Sequence, residues 1–269
     1  MIRCFLVLLL GSCLAAPAFA QSEPGQTPPV ATSKPTVKKS ADKALRQVAS
    51  VESGPCQVGV IPMVGDHFVY QKIGFTVFGN ERVEVPISGW ALDGLIVARV
   101  RAAAGAGVRR IAYRAEEMIK QDLGSSPLFP DKPEFVEKIR ALAGNAGCTR
   151  YVVVTRFPRQ FVGNQSIEGI GVVNNGSKVV GSSLLFASVY IWILGGQDFK
   201  AIKQGPSSIS DNSSGISNLL GGGIPTQRID NSSFPDSPDE AAKTPAIRDG
   251  ARALLATSLD RTLPGMLKP

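Results

Sequence analysis

Histidine is almost missing from this chain: His67 is the one imidazole in 269 residues. A Ser-His-Asp set, a histidine general base or a histidine-bearing zinc site must therefore use His67 or dispense with imidazole. Cysteine is scarce too, with four in all, and Cys4 and Cys13 fall within the first twenty residues. With so few ligands, no metal and no other cofactor is expected. Cations outnumber acids only modestly, 29 to 22, for a formal charge of +7. They are scattered, Lys38-Lys39 and Arg109-Arg110 being isolated pairs, and no basic stripe is interleaved with aromatics. A nucleic-acid groove needs such a stripe, so nucleic acid is not an expected partner.

Uninterrupted apolar runs long enough to cross a bilayer are also lacking at the amino end. Arg3 is followed by the apolar run Phe5 to Leu10, broken by Gly11, Ser12 and Pro17, and then by Ala18-Phe19-Ala20 before Gln21. That order predicts a secretory signal peptide over residues 1–20, cut between Ala20 and Gln21; a span needs roughly 20 continuous apolar residues. Cleavage removes Arg3 and no acid, taking the formal charge from +7 to +6. Leu10-Gly11-Ser12-Cys13 also has the form of the box at which bacterial lipoproteins are cut, which would leave Cys13 lipidated. The expected address is the periplasm or the exterior, with an outer-membrane lipoprotein as the alternative.

Residues 21–55 are rich in Pro, Ser, Thr, Lys and Gln, too polar to offset the entropy of ordering. They read as a flexible tether, with a short helix at 41–49, ahead of a single domain over 56–269. Val58 to Val64 is a brief apolar run that suits a buried strand. Phe68 to Val85 alternates loosely, as a hairpin or a loop excursion. Leu92, Leu95, Ile96, Val100 and Ala103 recur at helical spacing, closed by Gly105 and Gly107. A short strand is expected at Arg110 to Arg114, a weak helix over 115–122, then a helix opened by Pro133 and Glu134 and closed by Gly144 and Gly147. Tyr151 to Thr155 is a β-branched strand.

Strand, helix, strand, helix, strand with short links predicts an α/β fold, two-layer or three-layer, whose mixed sheet has a parallel first half. Antiparallel hairpin strands follow: Ser166 to Val173, a turn at Asn174-Asn175-Gly176, the run Ser183 to Leu194, and a shorter strand Phe199 to Lys203. Val179 to Gln197 carries no formal charge, yet it alternates and is β-branched and aromatic, so it reads as a buried strand, leaving no transmembrane span in the mature chain. Residues 205–240 are Ser, Asn, Gly, Pro and Asp without period and read as a disordered loop. A carboxy-terminal helix is expected over Ala246 to Leu263.

Cys56 and Cys148 precede their apolar runs at matching offset. If those runs are neighbouring parallel strands in register, the two cysteines sit side by side within disulfide reach; otherwise they are two unpaired buried thiols.

Catalytic motifs do not assemble. Asp66 adjoins His67, but neighbours in a strand point to opposite faces, and no G-x-S-x-G elbow accompanies them. Ser40-Ala41-Asp42-Lys43 and Ser210-Asp211-Asn212 match two motifs of penicillin-binding enzymes, but both lie in patternless stretches and Lys243-Thr244 is followed by Pro245 where the third motif needs Gly. Gly221-Gly222-Gly223 opens no strand-to-helix turn that would cradle phosphate. Tyr190 and Trp192 read as core aromatics rather than a ligand surface.

Val58-Gly59-Val60-Ile61-Pro62, the helix Asp93 to Ala104, and the segment EFVEKIRALAGNAGCTRYVVVT over 134–155 resemble a group of bacterial envelope domains. These are the amino-terminal domain of the Tol-system propeller protein, the curli-secretion lipoprotein, and lipoprotein activators of penicillin-binding proteins. The resemblance implies a small α/β domain with a mixed sheet that works by contact with another envelope protein, and it carries over no catalytic residues. The expected function is a non-enzymatic interaction or assembly module of the envelope. The competing expectation is a periplasmic hydrolase acting on envelope material through Asp66 and His67.

Overall fold

The computed structural model describes residues 54–74, 77–114, 133–176, 181–209 and 223–268. The expected signal peptide with Cys13, Ala20 and Gln21, the tether expected before Gly54, the helix expected over 115–122, Ser210-Asp211-Asn212 and Gly221-Gly222 lie outside the described residues.

β1 (Val58–Met63) is buried along its whole length and runs through a three-residue turn into β2 (His67–Ile73), which pairs antiparallel with β3 (Glu81–Pro86). The stretch read as a hairpin or a loop excursion is thus a hairpin that prolongs β1. α1 (Leu92–Ala104) follows, burying Leu92, Ile96, Val97 and Val100, and ends at Gly105, whose φ of 84° only glycine adopts without strain. β4 (Val108–Arg110) lies two residues earlier than its alternation suggests, because Val108 and not Arg110 is the residue that pairs with Val58. α2 (Pro133–Ala143) carries Glu134 in its first turn and Arg140 in its last, each matched to the helix dipole. β5 (Arg150–Arg156) then pairs parallel with β1, so β4, β1 and β5 form the parallel half.

Beyond β5 the chain makes the small hairpin β6 (Arg159–Val162) and β7 (Gln165–Ile167), then β8 (Gly169–Gly176), the 15-residue β9 (Gly181–Gly195), β10 (Ala201–Pro206) and β11 (Thr226–Ile229). Two expectations are corrected here. Asn174, Asn175 and Gly176 are the end of β8 rather than a turn: they pair with Ser183, Ser182 and Gly181, and the Asn174 amide donates to the Ser183 hydroxyl at 2.8 Å. Within the stretch read as a disordered loop, β11 forms by pairing its backbone with Leu184 to Phe186 and Ser183 of β9. α3 (Pro238–Lys243) starts there as well, capped by the Ser237 side chain accepting from the Glu240 N–H. α4 (Pro245–Leu267) closes the fold, with Pro at its first position.

Three layers result. One face of the sheet meets α1 and α4, whose Ile247, Ala251, Leu254, Leu255, Leu259 and Leu263 pack on Val60, Val152, Val154, Leu185 and Ile191. The other face is covered by α2, through Ile139 and Ala143 on Ile61, Val153 and Trp192. Its second half is covered by the β6–β7 hairpin, through Phe161 and Ile167 on Val69, Val173 and Phe186. Each fully buried aliphatic side chain contributes about 1.5–3 kcal/mol, so the long β-branched runs supply the driving force for this arrangement. No described helix is long and apolar enough to cross a membrane.

Candidate functional site

β9 explains how the sheet is organised. Its N-terminal half pairs with β8 and β11, its C-terminal half with β5 and β10. Successive residues of a strand turn their backbone groups to opposite sides. The Ser188 carbonyl accepts from Phe157 N–H, while the Ala187 N–H and the Val189 carbonyl bond to Pro225 and Ser207. β5 and β8 therefore lie end to end on one side of β9, and β10 and β11 end to end on the other. β1 and β2 flank β5 and β8 in the same way. Among the described residues β9 runs through unbroken, while the strands beside it stop at one level, a seam crossing the sheet at Val64-Gly65-Asp66, between Arg156 and Gly169, and between Ser207 and Pro225.

This seam is also the C-terminal end of the parallel strands, where open α/β sheets bind ligands. Here the position is filled from within. Arg156, at the end of β5, is buried and donates from Nε to the Val64 carbonyl at 2.8 Å and from Nη2 to the His67 carbonyl at 3.3 Å. Its Nη1 donates to both Glu84 oxygens at 3.1 and 3.0 Å. The aliphatic part of Arg156 passes within van der Waals reach of Gly169, whose φ of 72° suits glycine at the restart of the strand. Arg82 of β3 pairs with Glu168 at 3.7 Å and donates to the Ser166 carbonyl at 3.3 Å, holding the base of the β6–β7 hairpin. Burial raises the Glu168 carboxyl above its ordinary value, against the pull of Arg156 and Arg82.

A second cluster closes the β1 side. Asp93, in the first turn of α1, pairs with Arg110 at 2.8 Å and accepts from the Tyr113 hydroxyl at 3.2 Å; that hydroxyl in turn accepts from Gly65 N–H at 3.2 Å. Burial raises the Asp93 carboxyl, with Arg110 and Tyr113 opposing. Burial and then the Asp93 charge push the Tyr113 phenol well above its usual range.

Of the residues singled out as catalytic candidates, Asp66 is exposed in the turn, where its carbonyl accepts from Ile87 N–H. His67 is half-buried at the start of β2, and its imidazole makes no hydrogen bond among the described residues. No described serine, threonine or cysteine is joined to it, and no described group of three His, Cys, Asp or Glu converges for a metal. The arrangement can position strands. Tyr190 and Trp192 are buried in a row of rings, Phe135 to Trp192 at 4.9 Å, Trp192 to Tyr190 at 4.7 Å and Tyr190 to Phe157 at 4.9 Å.

The opposite pole carries the disulfide. Val58 pairs with Arg150, so Cys56 and Cys148 lie level at the heads of β1 and β5; they are bonded, with Cα atoms 4.5 Å apart. Nearby, Arg150 donates to the Leu267 carbonyl at 3.1 Å and Lys203 to the Lys268 carbonyl at 2.6 Å, two cations capping the negative end of α4. The Arg156 and Arg150 anchors escaped sequence reasoning because their partners lie 72 and 117 residues away.

No protein-family model and no curated protein matches this chain. Among solved structures it is similar to the PelC dodecamer from Paraburkholderia phytofirmans, at 13% identity and a TM-score of 0.29, over 78% of this chain and 92% of that chain. It is also similar to the LpoB C-terminal domain from Salmonella enterica, at 15% identity and a TM-score of 0.20, over 60% of this chain and 89% of that one. A lipoprotein from Neisseria meningitidis is 12% identical, with a TM-score of 0.22, over 62% of this chain and 93% of its own.

Proposed function

We propose that this chain is an exported, non-enzymatic envelope protein, an interaction or assembly module delivered by a signal peptide over 1–20 and held on a flexible tether over 21–55. The single observation that supports this reading is the closed seam. The crevice at which an α/β sheet would bind and transform a small molecule is occupied by the chain's own Arg156, hydrogen-bonded to Val64, His67 and Glu84. What remains for recognition is the outer surface, which suits contact with another envelope protein. Affinity capture of the full-length exported protein from envelope extracts tests this; a specific envelope partner is expected, and recovery of none counts against it. Mass spectrometry of the exported chain's amino terminus distinguishes a start at Gln21 from an acylated Cys13.

A further inference from the structure

β3 is an edge strand: it pairs with β2 on one side and with no described strand on the other. Its residues Glu81, Arg82, Val83 and Glu84 are all exposed, Val83 to 37%. The Ile87 N–H bonds to the Asp66 carbonyl, so Val85, Val83 and Glu81 turn their backbone groups inward to β2. Arg82 and Glu84 turn theirs outward. Pro86, whose ring leaves no N–H to present, falls on the outward set and ends any further ladder there.

The two residues that offer outward N–H and C=O groups thus carry opposite charges, and their side chains share a face, Arg82 lying 3.8 Å from Glu84. An antiparallel pairing of this edge with itself must bring outward residues opposite outward residues. Three such registers are available around this position. One places Arg82 against Arg82, and another places Glu84 against Glu84. The third centres the twofold axis on Val83 and sets Arg82 against Glu84 twice.

We infer that β3 pairs with β3 of a second copy of this chain in that third register. Four main-chain hydrogen bonds form between Arg82 and Glu84 across the axis, flanked by two symmetric pairings of opposite charge in which Glu84 keeps Arg156 and Arg82 keeps Glu168 as partners within their own chain. The half-exposed Val83 side chains cover one another on the opposite face. This is an isologous contact, so it closes at two chains instead of growing into a fibre. The like-charge registers are disfavoured by direct cross-strand repulsion, which fixes the alignment. Self-pairing of this edge requires nothing of the envelope and leaves the rest of the surface free for a different protein.

Sedimentation of the full chain tests the pairing together with two variants. The parent is expected at twice the monomer mass, dissociating as salt rises because the ion pairs are half-exposed. Arg82→Glu sets acid against acid and is expected to halve the mass, while a cooperative thermal unfolding curve, at a midpoint lowered by the loss of the Glu168 and Ser166 contacts, shows that it still folds. In Val83→Cys the two thiols meet at a non-hydrogen-bonded pair, about 4.5 Å between Cα atoms, within disulfide reach. Mild oxidation should yield a covalent dimer whose peptide map links residue 83 to residue 83, while Ile202→Cys on the opposite edge yields none. A parent that is monomeric at every attainable concentration overturns the inference, as does a dimer that Arg82→Glu leaves intact and that Val83→Cys does not cross-link. If Arg82→Glu fails to fold, the residue 83 cross-link alone decides.

Discussion

The guanidinium of Arg156 meets both carboxylate oxygens of Glu84, 72 residues earlier in the chain, while its remaining donors reach the main chain of Val64 and His67. One side chain from the end of β5 therefore ties down the bend between β1 and β2 and the edge strand β3. The arginine is buried and the glutamate is 41% exposed, so the two ends of the pair are unequal.

Arg156→Ala should be much costlier than Glu84→Gln. Removing the arginine leaves the Val64 and His67 carbonyls without their donor in a buried setting, which costs about 1–3 kcal/mol for each group so stranded. Glu84→Gln keeps a hydrogen-bond acceptor at a half-exposed position, and about 1 kcal/mol or less is expected. Urea denaturation of both variants checks the order; equal losses would show that the main-chain contacts of Arg156 add nothing.

Two carboxyls carry a pH signature of unusual sign. Burial raises Glu168 and Asp93, so each binds its proton more tightly in the folded chain than in the unfolded one. Each group accordingly withdraws stability as pH climbs from about 4, the ordinary carboxylate value, through its raised folded value, and the cost is complete above that. Glu168→Gln and Asp93→Asn should flatten this decline, each removing its own share. Urea midpoints across that window, with carboxyl titration by NMR, measure it; a decline as steep in both variants as in the parent would rule out the assignment.

Reduction of the Cys56–Cys148 bond frees a closed loop of large size, the two residues being 92 apart in sequence. The stabilisation lost should be about 2–5 kcal/mol. The same loss is expected for the double variant Cys56→Ala, Cys148→Ala, which is then indifferent to reductant. Thermal melts with and without dithiothreitol make the comparison; a parent whose midpoint ignores the reductant while its thiols become titratable would contradict the prediction.

Much of the fold is legible in the sequence because its elements carry strong local signals. β1, β5 and β9 are apolar runs bearing β-branched residues, α1 and α4 repeat their apolar residues at helical spacing, and the glycines after α1 and α2 stop them where they should. The matched offset of Cys56 and Cys148 from their strands was visible for the same reason. β11 was not, since Thr226-Gln227-Arg228-Ile229 is a strand only through its backbone bonds to β9. Asn174-Asn175-Gly176 has the composition of a turn, and only the partner strand, with Ser183 opposite Asn174, makes it extended. The seam was hidden most completely. Nothing local says that β5 and β8, separated by residues 157–168, continue one another along β9, nor that Arg156 will turn inward to fill the gap beside them.

That interrupted geometry also makes the molecule easy to edit. Arg156 and Gly169, like Ser207 and Pro225, flank the seam at one level, and the described pairing partners of β9 lie on either side of it. Residues inserted at the exposed turn Gly163-Asn164, between β6 and β7, would hang outside the ladder like attachments on a rail, without displacing a single strand register, as long as Phe161 and Ile167 keep their places on Val69, Val173 and Phe186.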